Sequence, residues 1–194
     1  MMEKGDEERT IRKYNNVYLS IIARYRDYIE KNESLYVADL PGLIVPGNPS
    51  VANLARKISD SFPSYSYEKD FIEASRLALS YVRDSIETIS IPIRFWQKPW
   101  ETLTNGAGDA FDKAVLLCSI LIALGGESTR IMVALERGGK DFVVFTKYHE
   151  ELFTLDEARG ILPAFSKEEI KSRLVKTGED EIFEFNDKLC IASE

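Results

Sequence analysis

The sequence predicts an α+β fold, with helices first and antiparallel strands after them. Three observations carry this expectation. Apolar residues recur at helical spacing up to about residue 124. The stretch from Asp109 to Leu124 is apolar almost all round, as a central buried helix would be. From Thr129 the apolar period changes to two, the alternation of half-buried strands.

Each element can be justified in order. From about Glu7 to Lys31 the spacing predicts a helix with Ile11, Tyr14, Tyr18, Ile21, Ile22, Tyr25, Tyr28 and Ile29 on one face. The tyrosines of that face fit a partner-binding stripe as well as they fit a cover for the core. The stretch Asp39 to Asn48 is rich in Pro and Gly and reads as a loop. Asn48 can cap a short helix, with Pro49 at its first position, running to about Ser61. A longer helix from about Tyr67 to Glu87 would bury Phe71, Ala74, Ala78, Tyr81, Val82 and Ile86. Ile89 to Phe95 read as extended, since Pro92 excludes helix.

The turn Asn105-Gly106-Ala107-Gly108 leads into the apolar helix, which Gly125-Gly126 end. Arg130 to Glu136, Asp141 to Tyr148 and Glu151 to Leu155 are expected as successive antiparallel strands. Arg137 to Lys140 and His149-Glu150 are the turns between them. Ser166 caps a helix to about Val175, and Glu181 to Phe185 with Lys188 to Ala192 form a hairpin around Asn186-Asp187. Residues 1–65 are expected to be a helical extension packed on a core domain of residues 66–194.

Composition narrows the function. With 194 residues, 44% hydrophobic and 29% charged, the chain can bury a sizeable core. A net charge of −7 argues against nonspecific binding to nucleic acid or to an anionic membrane surface. The longest apolar run, Ala114 to Leu124, is too short to span a bilayer. The N-terminal residues lack the apolar core of a signal peptide, so cytoplasmic residence is expected. Cys118 and Cys190 are too few for a disulfide framework or a zinc site. No cofactor is expected. The single Gln and the Lys/Glu/Ile-rich character point to a thermophilic source.

The most specific segment runs from Trp96 to Asp112. It contains Glu101-Thr102-Leu103, then Gly106, then Gly108-Asp109 and Asp112. This pattern resembles the motif of the transglutaminase-like superfamily, which shares the papain-type fold. The resemblance covers roughly Tyr67 to Asp156 and leaves the N-terminal helices unaccounted for. It implies a nucleophilic Cys at the start of a central helix, a His at the opening of a following strand, and an Asp at the end of the next. Carried onto this chain, those positions read Ala110, Asp141 and Asp156, the last in the pair Leu155-Asp156. A methyl group cannot attack a carbonyl, so the resemblance implies the frame of a cysteine enzyme without its reagent.

The chemistry explains why that matters. A helix N-terminus favours a thiolate and its oxyanion, a His partners the thiolate, and a third group orients the His. The chain has one His, His149, at a hairpin tip about 20 Å or more from Asp141 along the strand. Cys118 lies about 12 Å along the helix from Ala110, inside an apolar stretch, and reads as a packed core thiol. Candidate cleft residues are Trp96, Gln97, Trp100, Gly108, Asp109 and Asp112. For each there is a plainer reading. Trp96 and Trp100 pack beside the central helix, Gly106 and Gly108 permit positive φ, Asp109 caps the helix, and Asp112 pairs with Lys113, Arg130 or a backbone group.

Three function classes remain open. One is a non-catalytic transglutaminase-like domain that binds a protein or peptide in the former active-site cleft. The second is a peptidase or transamidase silenced by a Cys-to-Ala change at Ala110. The third is a cation-dependent activity of Asp109, Asp112, Asp141 and Asp156, for which no ligand-loop spacing exists. The expected reading is the first, without a metal.

Overall fold

The computed structural model describes residues 4–32, 37–93, 95–136, 139–174 and 181–192. The turn expected at Arg137-Gly138 and the helix end expected at Val175 lie outside the described residues. Contacts divide the chain into two compact units, Met1–Ser34 with Ile91–Trp96, and Leu35–Ser90 with Gln97–Glu194. The first unit is built on helix α1, Lys4–Asn32. Its Tyr14, Tyr18, Tyr25 and Tyr28 are all exposed. Among the described residues no helix is long and apolar enough to cross a membrane.

The second unit carries the α+β fold. Asn48 caps helix α2, Pro49–Ser59, by accepting from Ser50 N–H, with Pro49 where a missing N–H is harmless. Before it, residues Val37–Leu43 form a 3-10 helix and not the loop expected from their Pro and Gly content. Leu40 and Leu43 are buried there, and that burial holds the turn together. Helix α3, Tyr67–Ser85, buries the expected stripe of Phe71, Ala74, Ala78 and Val82, while Tyr81 is half-buried.

No strand forms over residues 89–93 of the segment expected to be extended up to Phe95, and Arg94 lies outside the described residues. The strand is shorter and earlier: β1, Glu87–Thr88, pairs in parallel with β2, Ala107–Gly108. Between them lies a helix the apolar pattern did not reveal, α4, Pro99–Asn105. It has Pro99 at its start, Glu101 accepting from Lys98 N–H at 2.7 Å, and Gly106 at φ 63° after its end.

Helix α5, Ala110–Ala123, is buried from Phe111 through Ile122. Helices α2, α3 and α4 pack on it from one side, and the sheet from the other. Strands β3 (Arg130–Glu136), β4 (Gly139–Tyr148), β5 (Glu151–Asp156), β6 (Gly160–Ala164), β7 (Glu181–Phe185) and β8 (Cys190–Ala192) form a six-stranded antiparallel sheet in the order β6-β5-β4-β3-β7-β8. Strand β6 was not expected from the sequence. It contains Pro163, which an edge position tolerates because no neighbour needs its N–H. The short helix α6, Lys167–Ser172, is capped by Ser166, which accepts from Glu169 N–H.

The sheet is buried on both faces. Ile131, Val144 and Phe185 pair across β3, β4 and β7 on the α5 face. On the other face Met132, Ala134, Phe145 and Ile182 pack against Ile170 and Leu174. Strand alternation therefore decides which side chains can approach the start of α5.

Candidate functional site

The start of α5 is built by local chemistry. Asp109 caps it by accepting from Asp112 N–H at 2.8 Å, and Asp112 returns the bond by accepting from Asp109 N–H at 3.0 Å. These reciprocal bonds satisfy donors that a helix start leaves open. Asp112 is only 2% exposed and also accepts from Gln97 N–H at 3.1 Å and Gln97 Nε2 at 3.3 Å. Its partners are thus backbone groups and Gln97, and neither Lys113 nor Arg130. Burial pushes the Asp112 carboxyl up to about 6, against the hydrogen bonds, which favour the anion.

Gln97 is engaged on every side. Its Nε2 also donates to Ala107 O at 3.2 Å, and its Oε1 accepts from Asn105 Nδ2 at 2.7 Å. An amide with both hydrogens so engaged has none left for an oxyanion. Gly108 does not have the positive φ expected of it; only Gly106 does. Gly108 is needed for close approach, since a Cβ there would lie 3.0 Å from Asp112 Cβ and 3.1 Å from Thr102 Cγ2. The segment Glu101 to Asp112 is therefore a bracing frame beneath the helix start.

A cleft of about 700 Å³ opens beside it. Ala110, Asp141 and Asp156 all line it. Gln97, Trp100, Gly108, Asp109 and Asp112 are not among the residues that line it. Trp96 falls in the first unit and is half-buried. The cleft walls come instead from Thr88, Ala114, Leu117, Phe142, Glu157 and Arg173, among others.

The ladder register sorts this lining by face. Phe142 pairs with Val133 and meets Phe111 of α5 edge-on at 5.4 Å. Asp141 pairs with Ala134, which belongs to the cluster on the far face. Asp156 lies two residues beyond Thr154, which pairs with Phe145 of that same cluster. The two carboxylates thus share a sheet face, and it is Phe142 that looks toward the start of α5. Asp156 is exposed and accepts from Ala158 N–H and Arg159 N–H, both at 2.8 Å, so it shapes the turn before β6.

The remaining candidates sit elsewhere. His149 occupies the two-residue β4–β5 turn with φ 47°, and its Nε2 lies 2.9 Å from Glu68 O of α3. That is the opposite end of β4 from Asp141, about 25 Å away along the strand. Cys118 is fully buried, and burial pushes its thiol well above the usual range. Among the described residues no group of three or more His, Cys, Asp or Glu side chains could hold a metal ion. The four carboxylates of the cation reading therefore do not converge.

No protein-family model matches the chain. No curated protein sequence matches it. Among solved structures the chain is similar to LapG of Legionella pneumophila. It shares 20% identity with LapG over 81% of this chain and 86% of that one, with a TM-score of 0.48. An EGTA-treated form gives 19% identity over 82% and 87%, with a TM-score of 0.49. A calcium-bound form gives 19% identity over 73% and 87%, with a TM-score of 0.43.

One feature of the cleft had no signal in the apolar pattern. Lys113, one turn along α5 from Ala110, is 2% exposed, and its Nζ lies 2.7 Å from Glu157 Oε2. The same Nζ donates to Thr88 Oγ1 at 2.9 Å. Glu157 and Thr88 both line the cleft. The sequence shows only a Lys inside an apolar helix, and its partners lie 25 and 44 positions away along the chain.

Proposed function

We propose that this chain is a non-catalytic domain of transglutaminase-like frame that binds an extended peptide or protein segment in the cleft beside the start of α5. One observation carries the reading. The residue that begins the buried helix and lines the cleft is Ala110, and no thiol or imidazole is among the residues lining it. The cleft walls combine apolar surface from Ala114, Leu117 and Phe142 with Asp141, Asp156, Arg159 and Arg173. Apolar walls with a few placed polar groups are the makeup of a ligand-binding cleft. The place of His149 weighs against an enzyme disabled only at Ala110, since restoring a thiol would supply no imidazole.

Peptide-library selection against the wild-type protein and an Ala110→Trp variant tests this. Ala110 is exposed, so the larger ring fills the cleft without entering the core. Peptides selected on the wild type should lose at least about tenfold in affinity on the variant. Equal binding to both would move the site elsewhere, and peptide or amide cleavage by the wild type would overturn the reading.

A further inference from the structure

Helix α1 carries a seam that the cleft reading leaves unused. Ile11, Tyr14, Tyr18, Ile21, Tyr25 and Tyr28 follow one another at spacings of three and four without a break. These six occupy the a and d positions of a heptad, with the half-buried Ile22 and Ile29 beside them on the same face. All six are between 49% and 69% exposed. The chain's exposed large apolar side chains are concentrated here, since Val17 and Leu19 of α1 join them. Single exposed apolar residues are ordinary, but a continuous row along a 29-residue helix is not.

We infer that α1 pairs with α1 of a second copy of this chain, so that the protein self-associates through a coiled-coil seam. The identity of the occupant follows from what the other helices offer. The stripes of α2 (Val51, Leu54, Ala55) and α3 (Phe71, Ala74, Ala78) are buried within their own unit, and α5 is buried nearly all round. Among the described helices α1 alone presents an open apolar row of this kind, and two such rows can pack against each other as a coiled coil. Four tyrosines and two isoleucines per helix, removed from water on both sides, bury on the order of 1,000 Å², at the lower threshold for a specific interface and of the size of a weak, concentration-dependent one. The row spans about 25 Å of helix, about two and a half heptads from Ile11 to Tyr28. Tyrosine suits such a seam because its ring packs while its hydroxyl reaches the wet edge.

Sedimentation of the full chain across a concentration series tests this. The wild type should move from monomer to dimer as concentration rises. A Tyr18→Glu, Tyr25→Glu variant places charge in the seam and should weaken association by at least about tenfold. An Asn16→Glu, Ala23→Glu variant alters exposed positions on the opposite face and should dimerise like the wild type. Thermal melts of both variants check that the second unit stays folded. A wild type that remains monomeric at every concentration overturns the inference, as does a seam variant that dimerises unchanged. Monomers that co-pellet with anionic vesicles would make the row a lipid face and also overturn it. Ala110→Trp should leave the dimer intact, so this inference and the cleft reading fail separately.

Discussion

Lys113 Nζ and Glu157 Oε2 lie 2.7 Å apart, joining the central helix to the turn between β5 and β6, where Glu157 lines the cleft. The ammonium is 2% exposed and the carboxylate 35% exposed. Removing one partner of a buried pair leaves an uncompensated charge, whereas an apolar replacement of similar shape avoids that penalty. Glu157→Gln should therefore cost about 2–3 kcal/mol, less than for a fully buried pair because Glu157 reaches solvent. Lys113→Met should stay within about 1 kcal/mol of the wild type. Urea unfolding of both variants checks this, and a neutral Glu157→Gln would show that Lys113 finds water.

Asp112 gives a pH dependence of unusual sign. Its folded value, about 6, lies above that of an unfolded Asp, because burial disfavours the anion. The stability from this group is fully present below the unfolded value near ~4 and is lost as the pH rises through about 6. The stability of the wild type relative to Asp112→Asn should rise by about 2 kcal/mol as the pH falls from 7.5 to 4.5. A gap independent of pH would show that the carboxyl does not titrate in that window.

A thiol placed at position 110 would meet an acidic surrounding. Asp109 and Asp112 flank the first turn of α5, and the described lining of the cleft includes no imidazole. The helix start favours a thiolate, but neighbouring carboxylates disfavour it. Ala110→Cys should alkylate at neutral pH no faster than an unstructured peptide thiol, and it should not cleave amides. Mass spectrometry locates the label, with Cys118 expected to stay unmodified in the folded protein. Rapid labelling at position 110 would reveal an activating environment and reopen acyl-transfer chemistry.

Gly126, just past the end of α5, admits no side chain. A Cβ there would overlap the ring of the fully buried Phe71 and sit 2.9 Å from Leu121 O. Neither the core ring nor the helix backbone can yield cheaply. Gly126→Ala should destabilise the protein by about 1–3 kcal/mol, seen as a lower melting temperature. An unchanged melt would mean that α3 and α5 can separate slightly at this point.

The sequence by itself determined the elements whose cause is local. The stripe of α3, the cap at Asn48, the all-round apolar character of α5 and the alternation in β3, β4 and β5 each follow from residues within a turn or two of one another. The α+β fold follows from their order. Two local signals were present but outweighed: Pro99 with Glu101 marks the start of α4, and five residues around Pro163 are too few to declare β6. What the tertiary structure decided depends on residues far apart in the chain. Ladder register set which face Asp141 and Phe142 occupy, and a shift of one residue reverses such an assignment. The Lys113–Glu157 pair, the burial of Asp112 by Gln97, and the placing of Ala110, Asp141 and Asp156 along one cleft all arise from packing. Spacing along the chain does not encode those distances, because they are fixed only when the sheet closes over α5.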